Sequence, residues 1–404
     1  MNKQYTYKFR IYPNNEQITF LDEQIGYNRF VYNFFLERSI NLHKNYGIKT
    51  NYYSNAVILP LLKKGFPFLS NANSQSLQAS LKNLDTAFRN FFQHRAKFPN
   101  FKKKINTNSI DIPQHFTIDN NFLYIPKLKS GIKVKFHRKV NETVKSITIT
   151  KNPSGKYYLN ILVAKEFYAL PKINKTSGID LGLKDFAIIT SGTGVNNYKS
   201  IKLDNPKYLI KSQNQLKKLN RQFAKKKKGS KNKIKFRNIL SVLHEKVANQ
   251  RKDFLHKLSS RTVNDSQVIV LEDLNIKGMV KNRHLSKSIS DVSWGMFTDM
   301  LKYKSEWLGR QILKVNRFYP SSKTCSKCGY IKQDLRLSDR QWTCPDCNTT
   351  HDRDINASIN LFLEGLNLTV GQELPELTPA EYALTGVQSI GYSKHTMKQE
   401  AHAS

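Results

Sequence analysis

Long apolar runs are missing from this 404-residue chain, and nothing in it approaches the roughly 18 residues of a membrane-spanning helix. The N-terminus, Met1-Asn2-Lys3-Gln4-Tyr5, lacks the apolar stretch of a secretory signal, so a cytoplasmic protein is expected. Cysteine is scarce as well. Only four are present, all between positions 325 and 347, which rules out a disulfide framework spread along the chain. Acidic residues are few, with 30 Asp and Glu facing 66 Lys and Arg, a net charge of +36. Such an excess repels itself and calls for a polyanion; phosphate backbones are the usual one. A membrane surface is the other anionic candidate, and the absent span argues against it.

What is present suits a folded protein with a sizeable core. Apolar content is ordinary and aromatics are plentiful, with 23 Phe and 19 Tyr. The length allows two or three domains of about 150 residues each. Tyr5, Tyr7 and Phe9 alternate with Thr6, Lys8 and Arg10, which predicts a strand ended by Pro13. From Glu16 to Gln93 the period becomes helical, with Leu77, Leu81, Leu84, Phe88 and Phe92 as the clearest stripe of core positions. Strands follow at Phe122–Ile125, Ile132–Phe136, Ser146–Thr150 and Tyr157–Val163, predicting a β-barrel-like domain with helices inserted into it. Gly178–Leu181 and Phe186–Thr190 read as a hairpin, and residues 207–265 as long polar helices. Between those helices lies a lysine run that includes Lys225, Lys226, Lys227, Lys228 and Lys231, read either as a solvated loop or as a phosphate-backbone contact. Gln267–Leu271 predicts a buried strand, Ser293–Leu308 a helix and Ile312–Val315 another strand. The last predicted helix runs from Asp354 to Leu363, closed by Gly365, with 367–404 as a mobile tail.

Three acids stand out. Asp180 sits among apolar neighbours in a strand, Glu272 ends the strand Val268-Ile-Val-Leu-Glu272, and Asp354 opens a helix in His351-Asp-Arg-Asp-Ile-Asn-Ala357. Carboxylates at strand ends and a helix start can meet at one edge of a mixed sheet. There they can hold two divalent ions about 3.5–4 Å apart, one activating water and one stabilising a leaving 3′ oxygen. Hard oxygen ligands favour Mg²⁺ or Mn²⁺. Each acid alone more often serves as a cap or salt-bridge partner, and Asp273 and Asp352 lie close enough to be mistaken for the working residues. The ordered set is the signal, in the layout of an RNase H-like nuclease.

Cys325-Ser-Lys-Cys328 and Cys344-Pro-Asp-Cys347 stand fifteen residues apart. Each CxxC can wrap one side of a tetrahedral Zn²⁺, with Gly329 supplying the tight turn of the knuckle. Four thiolates fill the coordination shell, so this zinc is structural, and His351 is expected beside the site rather than on the metal. A redox role needs only one such pair.

Gly178-Ile-Asp-Leu-Gly182, Leu271-Glu-Asp-Leu-Asn275, the two CxxC pairs and Asp352-Arg-Asp-Ile-Asn-Ala357 together resemble the TnpB (OrfB) family. So do Tyr7-Lys-Phe-Arg-Ile-Tyr-Pro13, Arg29-Phe-Val-Tyr-Asn33, Phe98-Pro-Asn-Phe-Lys102 and Tyr319-Pro-Ser-Ser-Lys-Thr-Cys325. That family comprises transposon-encoded, RNA-guided DNA endonucleases related to the compact type V CRISPR nucleases, and the resemblance spans roughly residues 1 to 366. It implies a multidomain protein of α/β and α+β class. Residues 1–12 and 105–172 would form a wedge-like β-barrel, with 13–104 as a helical recognition insert. Residues 173–323 and 349–366 would form an RNase H-like (RuvC) nuclease domain, with 324–348 as an inserted zinc ribbon. Asp180, Glu272 and Asp354 match the family's catalytic acids, Asp354 being preferred to Asp352 because the acid precedes x-Asn-Ala. Further implications are a guide RNA from the transposon end, double-stranded target DNA beside a short motif, and one protein chain per ribonucleoprotein in the prokaryotic cytoplasm, at the nucleoid. The alternatives are a guide-independent transposase using the same acids, a compact CRISPR effector, and a zinc-ribbon nucleic-acid-binding regulator without catalysis.

Overall fold

The computed structural model describes residues 2–104, 108–336 and 338–369. They form two compact units: Asn2–Lys165 together with Leu216–Glu245, and Glu166–Gln215 together with the chain from Lys246 onward.

The first unit is built on a seven-stranded sheet. Its strands are β1 (Asn2–Tyr12), β2 (Ser109–Ile112), β3 (Thr117–Asp119), β4 (Phe122–Tyr124), β5 (Ile132–Lys135), β6 (Val144–Lys151) and β7 (Tyr157–Glu166), in the order β2-β6-β7-β1-β5-β4-β3. The alternation in β1 buries Tyr7, Phe9 and Ile11, which pack with Ile132, Val134, Ile147, Ile149, Leu159 and Ile161. The end strands β2 and β3 are not neighbours, so the sheet is an open half-barrel, where the sequence pattern predicts a barrel. Between β1 and β2 stand α1 (Asn15–Tyr46), α2 (Tyr52–Gly65) and α3 (Ser74–Phe92). Asn14 and Gln17 cap α1 reciprocally, each side chain accepting from the other's backbone N–H. The three helices enclose a separate core of Val31, Phe35, Leu36, Leu59, Leu62, Leu77, Leu81 and Leu84. The predicted stripe on α3 is buried through Leu84 but ends with Phe92 67 % exposed.

The second unit carries β8 (Thr176–Leu181), β9 (Asp185–Gly194), β10 (Asn197–Asp204), β11 (Val268–Glu272) and β12 (Gln311–Val315), ordered β10-β9-β8-β11-β12. β10, β9 and β8 are antiparallel, whereas β8, β11 and β12 run parallel. Its helices are α4 (Tyr208–Ala224), α5 (Lys231–Asp265), α6 (Ile276–Met279), α7 (Ser286–Val292), α8 (Trp294–Leu308) and α9 (Arg353–Thr369), with α4 and α5 extending into the first unit. The unbroken apolar run of β11 reflects burial on both faces. Ile269 and Leu271 pack with Leu255, Val263, Phe297 and Leu301, while Val268 and Val270 pack with Leu361 of α9.

Helix α9 lies so close to the sheet that a Cβ on Gly178 would stand 2.2 Å from the Phe362 backbone N and 2.6 Å from the Ser358 carbonyl O. Gly365 serves the same seam from the helix side, since its Cβ would meet Val270 Cγ2 at 2.4 Å. Gly365 therefore does not end the helix, as its pattern predicts; it lets α9 continue to Thr369 against β11. The predicted tail begins at 367, but 367–369 are helical, and 370–404 lie outside the described residues.

Candidate active site and thiolate cluster

Strands β8 and β11 pair in parallel with Leu271 opposite Ile179, so the next residues on each, Glu272 and Asp180, come to the same sheet edge. Helix α9 adds Asp354 from its first turn. Asp180 is half-buried, and burial pushes its carboxyl up to about 7, with Glu272 and then Asp354 adding to the rise and Arg353 opposing it. The three predicted acids thus share one electrostatic site, in which negative charge is crowded enough to favour a cation. Glu272 Oε1 accepts a 2.5 Å hydrogen bond from the buried Ser321 hydroxyl, and Asp354 Oδ2 lies 3.4 Å from Arg340 Nη1. The carboxylates are spread more widely than the cysteines below. Among the described residues, the one group of three or more His, Cys, Asp or Glu close enough to hold an ion is the four cysteines.

The two neighbouring acids have other work. Asp352 caps α9, its Oδ1 accepting from the N–H groups of Asp354 (3.2 Å) and Ile355 (3.0 Å), while its Oδ2 pairs with Lys202 Nζ at 2.6 Å. Asp273 is 42 % exposed and points to Lys314 at 2.8 Å and Arg317 at 3.5 Å. Lys314 above all holds its carboxyl below the ordinary range.

The four cysteine sulfurs all lie within 4.8 Å of one another. Cys325 and Cys347 stand 3.6 Å apart, Cys328 and Cys344 3.5 Å, close to the edge of a tetrahedron with metal–sulfur bonds of about 2.3 Å. Each CxxC ends in a left-handed residue, Gly329 (φ 82°) after the first and Asn348 (φ 53°) after the second. Their N–H groups return to Cys325 O (2.9 Å) and Cys344 O (3.0 Å), so both halves make the same turn. The sequence marks only the first of these turns, because asparagine, not glycine, takes the left-handed position in the second. His351 is buried and outside the four-sulfur group; its Nε2 lies 3.0 Å from Cys325 Sγ and its ring packs against Trp342 at 4.8 Å. Strands β13 (Gln341–Thr343) and β14 (Thr350–Asp352) pair across the second turn.

Two buried asparagines of α9 tie this cluster to the helix that carries Asp354. Asn356 Nδ2 donates to Thr324 O at 2.7 Å and its Oδ1 accepts from Ser326 N at 3.0 Å. Asn360 Nδ2 donates to Ser321 O (2.7 Å) and Thr324 O (2.6 Å). Asn356 and Ser321 fall inside motifs singled out in the sequence, but nothing there marks these contacts, and Asn360 and Arg340 carry no pattern at all.

The lysine run falls at the tip of the α4–α5 hairpin, in the first unit. Lys225, Lys227, Lys228 and Lys231 are exposed, whereas Lys226 Nζ sits 4.9 Å from the centre of the Phe236 ring. The same unit contains a groove of about 610 Å³ lined in part by Arg29, Lys104, Lys151 and Arg237. Glu245 fixes the hairpin to the β6–β7 turn, accepting from Asn152 Nδ2 (2.8 Å) and Tyr158 OH (2.9 Å) and pairing with Lys156 Nζ (2.9 Å). No helix among the described residues is long and apolar enough to cross a membrane.

These features define a class. A solved structure of the mini-RNA-guided endonuclease CRISPR-Cas_phi3 covers 89 % of this chain and 92 % of its own, with TM-score 0.51 and 10 % identity, so the two share a fold. Family models described as "Helix-turn-helix domain", "Probable transposase" and "Cas12f1-like, TNB domain" match residues 1–48, 160–283 and 294–361. In the first of these stretches the structure has strand β1 and the single helix α1 instead of a helix-turn-helix. A Streptomyces pristinaespiralis protein named "Putative RNA-guided DNA endonuclease" is 34 % identical over 366 residues, covering 89 % of each chain. The Escherichia coli K12 protein "Putative RNA-guided DNA endonuclease InsQ" is 31 % identical over 386 residues, covering 90 % of this chain and 93 % of its own. The chain belongs to the TnpB (OrfB) family of transposon-associated proteins.

Proposed function

We propose that this protein is an RNA-guided, divalent-metal-dependent DNA endonuclease encoded by a transposon, cutting target DNA beside a short adjacent motif. The observation that carries the reading is the crowding of Asp180 by Glu272 and Asp354, three carboxylates supplied by β8, β11 and α9. Two Mg²⁺ or Mn²⁺ ions held by these acids would supply an activated water and stabilise the leaving 3′ oxygen of a phosphodiester. Asp180 and Glu272 are fixed at strand ends and Asp354 on a capped helix, so all three ligands are held on regular elements. Cys325, Cys328, Cys344 and Cys347 hold a structural Zn²⁺.

The strand order of the second unit supports an RNase H-like (RuvC) nuclease domain at 173–323 and 349–366, with 324–348 as its zinc ribbon. The half-barrel and its three helices support the wedge at 1–12 and 105–172 and the recognition insert at 13–104. A guide RNA from the transposon end reads the target by base pairing, which leaves the protein to hold backbones. The net charge of +36, the exposed lysines at 225–231 and the basic groove suit that task. One protein chain acts per ribonucleoprotein, in the cytoplasm at the nucleoid.

Purification from cells followed by sequencing of bound RNA tests the guide. An RNA-free preparation that still joins transposon ends would establish the guide-independent transposase instead. Asp180→Ala is expected to abolish Mg²⁺-dependent cleavage while retaining RNA, and unchanged cleavage would remove the proposed active site.

A further inference from the structure

The loop that enters the thiolate cluster touches Glu272 directly and is tied to the helix that carries Asp354. Ser321 stands four residues before Cys325 and is 4 % exposed, and its hydroxyl lies 2.5 Å from Glu272 Oε1. Its own carbonyl is held by Asn360, whose amide also donates to Thr324 O, directly ahead of Cys325. One turn earlier on the same helix, Asn356 grips Thr324 O and the N–H of Ser326, a residue inside the first CxxC. Asp354 lies two residues before Asn356. The segment 321–326 is therefore pinned to α9 at three backbone groups, and its only side-chain bond toward the carboxylates is that of Ser321.

We infer that Ser321 is a positioning residue for Glu272, which orients the carboxylate for a divalent cation and links the fold of the thiolate cluster to the geometry of the acid site. The inference rests on the reading of Glu272 as a metal-binding acid. A carboxylate at a strand end can rotate about its side-chain torsions, and a buried hydroxyl donor on one oxygen selects a single rotamer. The second oxygen is thereby presented to the site. Hydrogen-bonded partners of metal ligands act in this way and are typically worth 10- to 100-fold in metal affinity or activity. The hydroxyl itself touches neither substrate nor reacting atoms. Because the Ser321 backbone is held by Asn360, a change in the cluster displaces the hydroxyl and α9 together.

The test uses the full-length protein with its co-purifying RNA. Mn²⁺ is titrated by paramagnetic resonance, with the Asp180→Ala complex as the background for RNA-bound ions, and zinc content is measured in parallel. Ser321→Ala is expected to raise the Mn²⁺ concentration for half-saturation on the order of 10-fold and to leave zinc content unchanged. Ser321→Thr keeps the hydroxyl and is expected to bind Mn²⁺ as the unaltered protein does. Unchanged Mn²⁺ binding in the Ala variant would overturn the inference. So would loss of zinc in that variant, which would place Ser321 in holding the cluster and not the acid, or a zinc-loaded Thr variant that binds as weakly as the Ala one. Glu272→Gln separates the two levels: if it binds Mn²⁺ normally, the acid-site reading falls, and the role of Ser321 with it.

Discussion

Replacing Glu245 with Gln removes a negative charge at a point where Lys156, Asn152, Ser154 and Tyr158 converge. The Glu245 side chain is only 10 % exposed. Burial alone raises its carboxyl, but hydrogen bonds led by that of Lys156 outweigh it and bring the group from the ordinary 4.5 to about 2. Each pH unit of such a difference carries about 1.36 kcal/mol, so the charged form contributes about 3 kcal/mol, somewhat less because Lys156 is 39 % exposed. The sign follows from linkage. The folded carboxyl is the stronger acid, so this stability is complete above pH 4.5 and is lost as pH falls toward 2. Glu245→Gln is expected to speed amide exchange in residues 231–245 by about 100-fold at pH 7, as read by mass spectrometry, and to flatten the acid side of the urea-unfolding profile. Exchange within about twofold of the unaltered protein, with the acid slope intact, would show that Glu245 is not what holds the hairpin to the β6–β7 turn.

Two further outcomes test the acids and the thiolates. The Asp180 carboxyl is raised to about 7 in the fold, so it costs stability above that pH and nothing below 3.8. In Mg²⁺-free buffer, stability should fall between pH 4 and 7, and Asp180→Asn should be more stable at pH 8 by about 1–3 kcal/mol in thermal or urea unfolding. A pH profile identical to that of the unaltered protein would refute the crowding. Cys344→Ser is expected to lower zinc content and expose Trp342, which is 5 % exposed and packs on His351, shifting its fluorescence to the red. Full zinc content in that variant would contradict a four-thiolate site.

Glu272 was legible because an acid closing the unbroken apolar run Val268–Leu271 has few structural uses, and Asp180 because it stands in a strand between Ile179 and Leu181. Their partnership was legible only as an ordered set, since the pairing that joins them, β8 with β11 in parallel, links residues more than eighty positions apart. The four cysteines were legible as a unit because the close spacing of each CxxC pair brings its own two sulfurs together. Ser321, Asn356 and Asn360 act through one or two hydrogen bonds from short polar side chains, which leave no periodicity to read. The strand at Asn197–Asp204 escaped for a related reason: as an edge strand with mostly exposed residues it lacks an apolar alternation. The hairpin tip presented only polar helix, and what ties it to the β6–β7 turn is the set of polar bonds made by Glu245. Gly365 was misread because a glycine near a helix end more often stops the helix than makes room for a strand beneath it.

The paired turns of the thiolate cluster bear on how this chain tolerates changes of length. The fifteen residues between Cys328 and Cys344 leave from and return to one point, fixed on α9 by Asn356 and Asn360. Added sequence at the exposed Asp334, between the Gln333 carbonyl held by Lys323 and the buried Leu335, adds chiefly the entropy of closing a longer loop, about 0.6 kcal/mol for each doubling. The loop is thus a port for added sequence at that one point, while Arg336 and Arg340 further along it keep their contacts with Arg353 and Asp354.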